Sequence, residues 1–302
     1  MKNELLDGGF YKKHGVQKNN KTGPLISVLI VVFNGEQFLE EALLSVFNQT
    51  YSNIELIVMD GDSIDGTVDI LKKFDDSIDY WLSEPDAGQS DAFNKGFSLC
   101  NGDLLTWLNA DELYTPNAIK NIVEVFNNKP ESKWLTGGIV LTDESLNISK
   151  MRMGEGGANI LSKMHALNVY GASTFFTKEI FEKSGGMNLK LNFTMDTDLW
   201  WRFSLMGESF IRVNHYLCIF RMHENSKTAN HVVTGSNKTP VHQHEIDRIF
   251  TLYGPNSKYL LALSKLSRNF FRLLSLDYIR SRADSIRFRD KNALKVFNIN
   301  DS

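Results

Sequence analysis

Apolar and polar residues follow one another in blocks along the first half of the chain. The segment from Pro24 to Phe33 has almost no polar face, which predicts a strand buried on both sides. Apolar residues then recur at helical spacing between Phe38 and Phe47, which predicts an amphipathic helix. A second buried strand is predicted from Ile54 to Met59, and it ends at Asp60.

The same alternation continues through the next two strands. They are predicted at Asp79–Leu82 and Asp103–Leu108, with helices around Val68–Phe74 and Asp91–Leu99. A further helix should open at Thr115-Pro116, an N-cap residue followed by proline at the first helical position. Strands that alternate with helices predict right-handed βαβ units, and therefore an α/β fold with a mostly parallel central sheet flanked by helices.

The pattern loosens in the second half of the chain. The predicted elements are a strand at Trp134–Leu141, a glycine-rich loop at Met151–Ala158, helices at Lys178–Ser184 and Asp198–Met206, and strands near Phe210 and Leu217. From about Gly235 the chain is predicted to be wholly helical. The predicted organisation is a polar leader at residues 1–23, an α/β domain at residues 24–234 and a helical C-terminal extension at residues 235–302.

The C-terminal extension interleaves apolar and basic residues. Leucines and phenylalanines between Leu260 and Leu274 stand among Lys258, Lys265, Arg268 and Arg272, and Arg280, Arg282, Arg287 and Arg289 follow. Such a stripe packs against the α/β domain, packs against a second subunit in self-association, or lies on an anionic membrane surface. The sequence leaves these three alternatives open.

Composition and charge narrow the class of protein. The chain has 302 residues, of which 42% are hydrophobic and 23% charged, as in a globular protein. Its net charge of −3 gives no reason to expect a nucleic-acid partner. The two cysteines fit a reducing compartment, and neither a signal peptide nor an apolar run long enough to span a bilayer is present in the sequence. We therefore expect a cytoplasmic protein, at most peripheral to the inner face of the cell membrane.

Candidate chemistry is concentrated where the fourth predicted strand ends. The apolar run after Gly102 stops in the polar and acidic segment from Asn109 to Glu112. If the strand stays extended, Asn109 and Asp111 project the same way from its carboxyl end, which is where open α/β sheets bind ligands. Carboxylates there are suited to holding a divalent cation against phosphate oxygens. An ordinary acidic turn is the alternative.

Three further polar clusters follow other predicted strands. They are Phe33–Glu36, Asp60–Thr67, and Glu84–Asp91 with Asn94–Gly96 one turn later. Each cluster alone is typical of turns and helix caps. Clusters at successive strand ends, however, should meet at one edge of the sheet and form a polar crevice able to bind a nucleotide.

Several segments resemble family 2 glycosyltransferases in the order in which that family carries them. They are Ser27–Asn34, Ser45–Tyr51, Asn53–Val58, Asp65–Thr67, Asn94–Gly96, Trp107–Glu112, Phe175-Phe176, Gly185–Met187, Asp196–Arg202 and Phe220–His223. The resemblance covers roughly Pro24 to Thr228. It implies the GT-A fold, a nucleotide-sugar donor and inversion at the anomeric carbon.

The resemblance also implies a set of donor-binding residues. The loops after the first two strands should hold the base, and the later clusters should meet the sugar and the diphosphate. The implied residues are Val32, Asn34, Glu36, Asp60, Asp62, Asp86, Gln89, Asn94, Asn109, Ala110 and Asp111. The chain departs from the family pattern in having Asn109 in place of the usual aspartate and Asp60-Gly61 in place of two adjacent acids. The base is therefore ambiguous, with a UDP-sugar the first expectation.

The resemblance further implies a metal site and a catalytic base. Asp111 is the preferred ligand of a divalent cation, Mn²⁺ or Mg²⁺, and Glu112 and His223 are the other candidate ligands. Asp196 matches the general base that deprotonates the acceptor hydroxyl. The alternative is that Asp196 only caps a helix, since Thr194–Thr197 is a plausible helix start. Asp198 is expected to be a cap or a structural ion-pair partner.

The predicted protein is an inverting, metal-dependent glycosyltransferase. Its acceptor is expected to be a carbohydrate or lipid-linked glycan in bacterial surface polysaccharide biosynthesis, an expectation taken from the family. One alternative is a degenerate transferase, marked by Asn109, that binds a glycan or a partner. The other is a haloacid-dehalogenase-type phosphatase, because Ile57–Ser63 resembles the strand and Asp-x-Asp entry in which the first aspartate, here Asp60, is the nucleophile.

Overall fold

A computed structural model describes residues 6–15, 22–154, 169–208, 210–224, 226, 240–253 and 276–299 of the chain. Its strands are β1 (Leu6–Gly8), β2 (Ile26–Val32), β3 (Ile54–Asp60), β4 (Tyr80–Ser83), β5 (Leu104–Asn109), β6 (Leu113–Tyr114), β7 (Trp134–Thr142), β8 (Ile148–Arg152), β9 (Thr174–Thr177) and β10 (Ile211–Arg221). Its α-helices are Phe10–His14, Leu39–Phe47, Thr67–Lys73, Gln89–Leu99, Ala118–Asn128, Lys178–Ser184, Met195–Leu205, Pro240–Tyr253, Leu276–Arg287 and Ala293–Phe297. Two of the helices are named below by a residue they carry: the Asp196 helix is Met195–Leu205 and the Glu245 helix is Pro240–Tyr253.

The strands form one sheet whose first half is parallel, as predicted. Their order is β1-β4-β3-β2-β5-β9-β7-β10-β6, and β8 pairs with β7. Strands β4, β3, β2 and β5 are parallel neighbours, with Asp60 of β3 opposite both Val32 and Ser83, and Asn109 opposite Val31. This register brings the carboxyl ends of the four strands to one edge of the sheet, so the four polar clusters lie side by side.

Residues of β2 show why this half of the sheet is central. All seven of its residues are buried, and alternate side chains enter two different cores. Val28 and Ile30 belong to the cluster on one face, and Leu29 and Val31 belong to the cluster on the other. Because side chains alternate along a strand, a continuous apolar run can only be buried if helices cover both faces.

The polar leader contains structure that the sequence analysis did not predict. Strand β1 pairs antiparallel with β4, with Leu6 opposite Ser83 and Gly8 opposite Trp81. A short helix, Phe10–His14, follows directly. The segment holds too few apolar residues for a periodic signal, and its position depends on pairing with a strand far away in the sequence.

Other elements also differ from their predictions. The helix expected to open at Thr115-Pro116 begins at Ala118, with Asn117 at its N-cap position, and strands β6 and β9 were not predicted. One strand, Ile211–Arg221, replaces the two expected near Phe210 and Leu217, and its register against β7 shifts between Arg212 and Cys218. The start of the predicted loop at Met151 belongs to β8. The remainder of that loop falls in residues 155–168, outside the described residues. The Asp196 helix begins at Met195 instead of Asp198.

The described parts of the C-terminal extension are mainly helical, but a turn at residues 288–292 interrupts the wholly helical segment that was predicted. The helix Leu276–Arg287 packs on β8, where Met151 N donates to Ser285 Oγ at 2.8 Å. The apolar stripe from Leu260 to Leu274 lies outside the described residues, so self-association and membrane contact stay predictions. Within the described residues, no helix combines the length and the apolar character needed to cross a bilayer.

A buried carboxylate on β3 is expected to be the largest single polar contribution to stability at the amino end of the sheet. Glu55 is buried and accepts hydrogen bonds from the Ser27 hydroxyl, from Tyr11 Oη at 2.9 Å and from Asn101 N at 2.7 Å. Replacing it with alanine leaves these donors unpaired, and we expect the free energy of unfolding to fall by about 3 kcal/mol. Urea denaturation measures this change.

The matched control is Glu40→Ala, which removes an exposed carboxylate paired with Lys73 at 2.7 Å. Exposed ion pairs contribute little, so this variant should lose less than about 1 kcal/mol. An equal loss in the two variants would contradict the role assigned to Glu55.

Candidate active site

The loops after β2 and β3 are locked together by hydrogen bonds. Asn34 N donates to Ser63 Oγ at 2.7 Å, and Ile64 N donates to Asn34 Oδ1 at 3.0 Å. Asn34 and Asp62 both have positive φ, at 51° and 66°. Asparagine and aspartate tolerate this conformation better than most residues, which explains their presence at these two turns. Both side chains are exposed at the sheet edge.

Glu36 forms hydrogen bonds with the loop after β3, and its contact with the donor stays a prediction. Gly66 N donates to Glu36 Oε2 at 3.0 Å, and Glu36 N donates to Asp65 Oδ2 at 3.0 Å. A Cβ on Gly66 would lie 2.6 Å from Glu36 Cδ, so only glycine allows this approach. The pair closes the loop onto the start of the helix Thr67–Lys73.

Asp60 is an internal brace of its loop. Its carboxylate is buried and accepts from the Ser63 hydroxyl, from Ser63 N at 3.1 Å and from Ser83 Oγ at 2.5 Å. Both oxygens are therefore engaged within the protein. Asp62 is the exposed member of this acidic pair, and its contact with the base stays a prediction. The two engaged oxygens disfavour Asp60 as a phosphatase nucleophile. Val32 is likewise buried, and its carbonyl accepts from Gly61 N at 2.9 Å.

The polar cluster that follows β4 lies against the cluster that follows β3. Asp86 Oδ1 accepts from Gly88 N at 2.7 Å. A Cβ on Gly61 would lie 2.8 Å from Asp86 Oδ2 and 3.5 Å from Phe33 Cδ2, so both side chains close over this glycine. The Phe33 side chain is 65% exposed, which is unusual for a phenylalanine at the end of a buried strand.

Gln89 joins the third cluster to the fourth, whereas Asn94 does not face the crevice. Gln89 Nε2 donates to Asn109 Oδ1 at 3.3 Å. The Asn94 amide instead pairs with the backbone of Met187, donating to its carbonyl at 2.9 Å and accepting from its N–H at 2.8 Å. The predicted donor contact of Asn94 is thus replaced by a brace between the helix Gln89–Leu99 and the turn at Gly186.

In the fourth cluster Glu112 is buried, whereas Asp111 keeps some exposure. Ala110 lies beside the first cluster, since its Cβ is 3.5 Å from a Cβ placed on Gly35. Glu112 is buried and accepts from Asn109 N at 3.2 Å. Burial, together with the charges of Asp111 and Asp196, raises the pKa of Glu112 to about 8. This placement favours a structural role for Glu112 over the predicted role of metal ligand.

Asp111 and His223 form the pair that fits a cation. His223 Nε2 lies 2.9 Å from Asp111 Oδ2, and both side chains keep some exposure, 11% and 26% respectively. The His223 ring packs on Phe38 with its centroid at 4.8 Å. A carboxylate oxygen and an imidazole nitrogen suit Mn²⁺, with phosphate oxygens completing the coordination. No group of three or more His, Cys, Asp or Glu side chains that could hold a metal occurs among the described residues.

Arg221 supports the His223 side of this pair, and the sequence analysis gave it no role of its own. Its guanidinium lies 4.5 Å from the centroid of the Phe38 ring and forms an ion pair with Glu41. A sequence signal for the role of Arg221 was its position, because it ends a strand and lies two residues before His223. Nothing in the sequence indicated that Phe38 would lie against both side chains.

Asp196 lies in the first turn of its helix, and Thr194 occupies the N-cap position without a side-chain hydrogen bond to the helix. One oxygen of Asp196 binds a first-turn amide, so Asp196 contributes to the helix start, and its role as the base stays a prediction. Asp196 is half-buried, and Oδ1 accepts from Thr197 N at 2.6 Å, whereas Oδ2 has no hydrogen-bond partner among the described residues. Desolvation raises the pKa of Asp196. The charge of Asp196 also contributes to the raised pKa of Glu112.

Asp198 has the structural role predicted for it. Its carboxylate is fully buried and pairs with Arg202 Nη2 at 2.6 Å. Arg202 Nη1 also donates to the Ser184 carbonyl at 2.6 Å, which ties the Asp196 helix to the helix Lys178–Ser184.

The sequence and its relatives agree on the family. The sequence model of glycosyl transferase family 2 matches residues 27–184. An uncharacterized glycosyltransferase of Rickettsia typhi is 29% identical over 226 residues, covering 70% of this chain and 68% of the relative. An uncharacterized glycosyltransferase of Mycobacterium tuberculosis is 30% identical over 203 residues, covering 66% of this chain and 76% of the relative. A longer relative from Rickettsia felis is matched over only 38% of its length.

Solved structures show the same fold. Staphylococcus aureus TarS (residues 1–349) in complex with UDP-GlcNAc has a TM-score of 0.58 at 15% identity, covering 88% of this chain and 81% of that one. The mannosyltransferase PcManGT of Pyrobaculum calidifontis, in complex with GDP-Man and Mn²⁺, has a TM-score of 0.54 at 17% identity with the same two coverages. The chain therefore belongs to glycosyltransferase family 2 and has the GT-A fold.

Proposed function

We propose that this glycosyltransferase moves a sugar, with inversion, from a nucleotide-diphosphate donor to an acceptor hydroxyl. The observation that supports this best is the half-buried Asp196 carboxylate, which keeps one oxygen unbonded among the described residues. An oxygen in that state is free to accept a proton from an acceptor hydroxyl.

The nucleotide is proposed to lie across the ends of β2 and β3. Asp62 and Asn34 are exposed there, and the open face of Phe33 offers a stacking surface for a base. Gln89 and Asn109 then reach the ribose or the sugar. The TarS structure is a complex with UDP-GlcNAc, and the PcManGT structure is a complex with GDP-Man. For this chain we expect a UDP-sugar as the donor.

Asp111 and His223 are proposed to hold a divalent cation, Mn²⁺ or Mg²⁺, so that the enzyme is metal-dependent. Such an ion, when bound, acts as a Lewis acid that neutralises charge on the departing diphosphate. The ring of Phe38, which also lies against the Arg221 guanidinium, packs on the His223 ring and supports its position beside Asp111.

Asp196 is proposed to accept the proton of the acceptor hydroxyl as that oxygen attacks the anomeric carbon. The bond between the sugar and the diphosphate breaks in the same displacement, which inverts the configuration. Desolvation makes Asp196 a stronger base than an exposed carboxylate, because it raises the carboxyl pKa. We further propose, from the family association, a cytoplasmic enzyme of surface polysaccharide or lipid-linked glycan synthesis.

Nucleotide binding tests the proposal without knowledge of the acceptor. We expect one of UDP, GDP and dTDP to raise the melting temperature in the presence of Mn²⁺ and to have little effect without it. At a concentration of about 100 times Kd the gain is about 2.7 kcal/mol, a shift of roughly 5–10 °C for a domain of this size. Thermal-shift assays with the three nucleotides, with and without Mn²⁺, measure this. No shift with any of them would contradict the proposed donor site.

The alternative function is a degenerate transferase that binds a glycan or a partner without catalysis. A degenerate transferase would also bind the nucleotide, so the two functions are distinguished only by catalytic turnover. Measurable transfer or donor hydrolysis that depends on Asp196 would exclude it.

A further inference from the structure

A buried carboxylate from the C-terminal extension lies behind the Asp196 helix. Glu245 is 4% exposed, and its oxygens accept from three consecutive amides: Asn192 N at 2.7 Å, Phe193 N at 2.9 Å and Thr194 N at 3.1 Å. Thr194 Oγ1 donates as well, at 3.0 Å. Successive amides that point at one anion form a tight binding site for it. Here the anion is a side chain of the protein.

The four hydrogen bonds hold the three residues that lead into the Asp196 helix. Thr194 is at the N-cap position, but its side chain accepts no hydrogen bond from the helix. Its hydroxyl is directed to Glu245 instead. Glu245 therefore fixes the entry to this helix from outside, two residues before Asp196.

The Glu245 helix is held along one face. Glu245, Ile249 and Tyr253 are spaced at i, i+4 and i+8, and Ile249 is buried in the core. Tyr253 Oη donates to Asp198 Oδ1 at 3.0 Å, and its ring stacks on Trp201 at 6.0 Å. The helix therefore contacts the Asp196 helix at its entry and again further along.

The capped segment reaches the donor loop on its other side. Ser90 Oγ donates to the Leu191 carbonyl at 3.1 Å. Asn192 Oδ1 lies 4.0 Å from a Cβ placed on Gly88. Residues 191–194 are thus held between the Glu245 helix and the loop that we assign to the donor.

We propose that Glu245 is a positioning residue that fixes the Asp196 carboxylate relative to the donor loop. The C-terminal extension then completes the active site of the α/β domain, although it lies outside the segment that resembles the family. This inference rests on the proposed role of Asp196 as the base.

The test compares Glu245→Gln with Asp247→Asn. Glutamine keeps the shape of the side chain but places an NH₂ group against backbone N–H donors. Asp247 is exposed on the same helix, and its carboxylate accepts from Gln243 Nε2 at 2.7 Å, so its variant matches the change in charge. The assay is hydrolysis of UDP-GlcNAc and of GDP-mannose, in which water replaces the acceptor.

For Glu245→Gln we expect kcat to fall by about tenfold to a hundredfold, as misplacement of a catalytic group does. The donor KM should stay within about twofold, because the donor loop itself is unchanged. A ¹³C-carboxyl titration of Asp196 should show a lower pKa than in wild type, since a loosened helix entry lets water reach the carboxylate. Asp247→Asn should match wild type in all three measurements.

The outcomes separate this inference from the proposed function. If Asp196→Asn abolishes hydrolysis but Glu245→Gln matches Asp247→Asn in kcat and in the Asp196 pKa, the positioning role is wrong and the base stands. If Asp196→Asn keeps full activity, the proposed function itself fails. Should Glu245→Gln not fold, Thr194→Val removes one of the four hydrogen bonds and should lower kcat in the same direction, and an unchanged kcat would overturn the inference.

Discussion

Replacing Asp196 with asparagine is expected to lower the rate of sugar transfer by about 10²–10⁴-fold, the usual contribution of a general base. Asparagine keeps the Oδ1 atom that accepts from Thr197 N, so the helix start should be preserved. It cannot accept the proton of the acceptor hydroxyl. Steady-state kinetics with the nucleotide sugar identified by the binding panel measures the loss, and nucleotide affinity should be unchanged.

The matched control is Asp69→Asn, an exposed carboxylate whose contact with Lys72 is 3.8 Å long. It should keep full activity. A variant at Asp196 with more than about a tenth of the wild-type rate would contradict the assignment, since even the weakest general-base effects exceed that.

The pH dependence of the wild-type enzyme should carry the signature of the same group. The base acts in its ionised form, and its pKa is raised from the ordinary value of 3.8. The acid limb of kcat/KM should therefore lie above that value. Stability depends on pH in the opposite direction to activity. Because the pKa of Asp196 is raised in the folded state, the free energy of unfolding falls as the pH rises through that pKa. Asp196→Asn should consequently unfold at a temperature no lower than wild type at neutral pH.

Replacing Asp111 with asparagine is expected to abolish the Mn²⁺-dependent part of nucleotide binding and to lower transfer by about a hundredfold. The variant removes the charged ligand that lies 2.9 Å from His223 Nε2. His223→Ala should have a smaller effect of about tenfold, because the carboxylate remains. Thermal shift with and without Mn²⁺, followed by metal titration of the transfer rate, measures both effects.

The variant Glu112→Gln tests whether Glu112, and not Asp111, is the metal ligand. Its buried carboxyl accepts from Asn109 N, and no hydrogen bond joins it to His223 among the described residues, so metal dependence should survive this change. Loss of the Mn²⁺ response in Glu112→Gln together with its retention in Asp111→Asn would move the metal site to Glu112.

The proposed site combines the parallel strands of the sheet with a helix from the second half of the chain. The donor crevice depends on the parallel strands β2 to β5, whose register places every loop at one edge. Asp196 comes from a helix in the second half of the chain, and its entry is held by Glu245 from the extension. Donor binding and proton removal can therefore be perturbed separately by mutation.

The parallel half of the fold was predictable because its signals are local. Continuous apolar runs such as Ile26–Val32 and the helical spacing of Leu39–Phe47 depend only on neighbouring residues. Strands β1, β6, β8 and β9 were missed because short segments form strands only when a partner strand supplies the hydrogen bonds. The single strand Ile211–Arg221 was divided in two because its register shifts interrupt the alternation.

By itself, the sequence determined that four polar clusters follow buried strands, that Asp111 and Asp196 are the candidate metal ligand and base, and that the chain resembles family 2 glycosyltransferases. Only the tertiary structure decided which side chains face the crevice. Asp60, Asn94 and Glu112 carry the expected residue types, yet their polar atoms are used within the protein. The direction of a side chain in a turn, and a distant partner such as Glu245, depend on contacts between segments far apart in sequence, which no local pattern records.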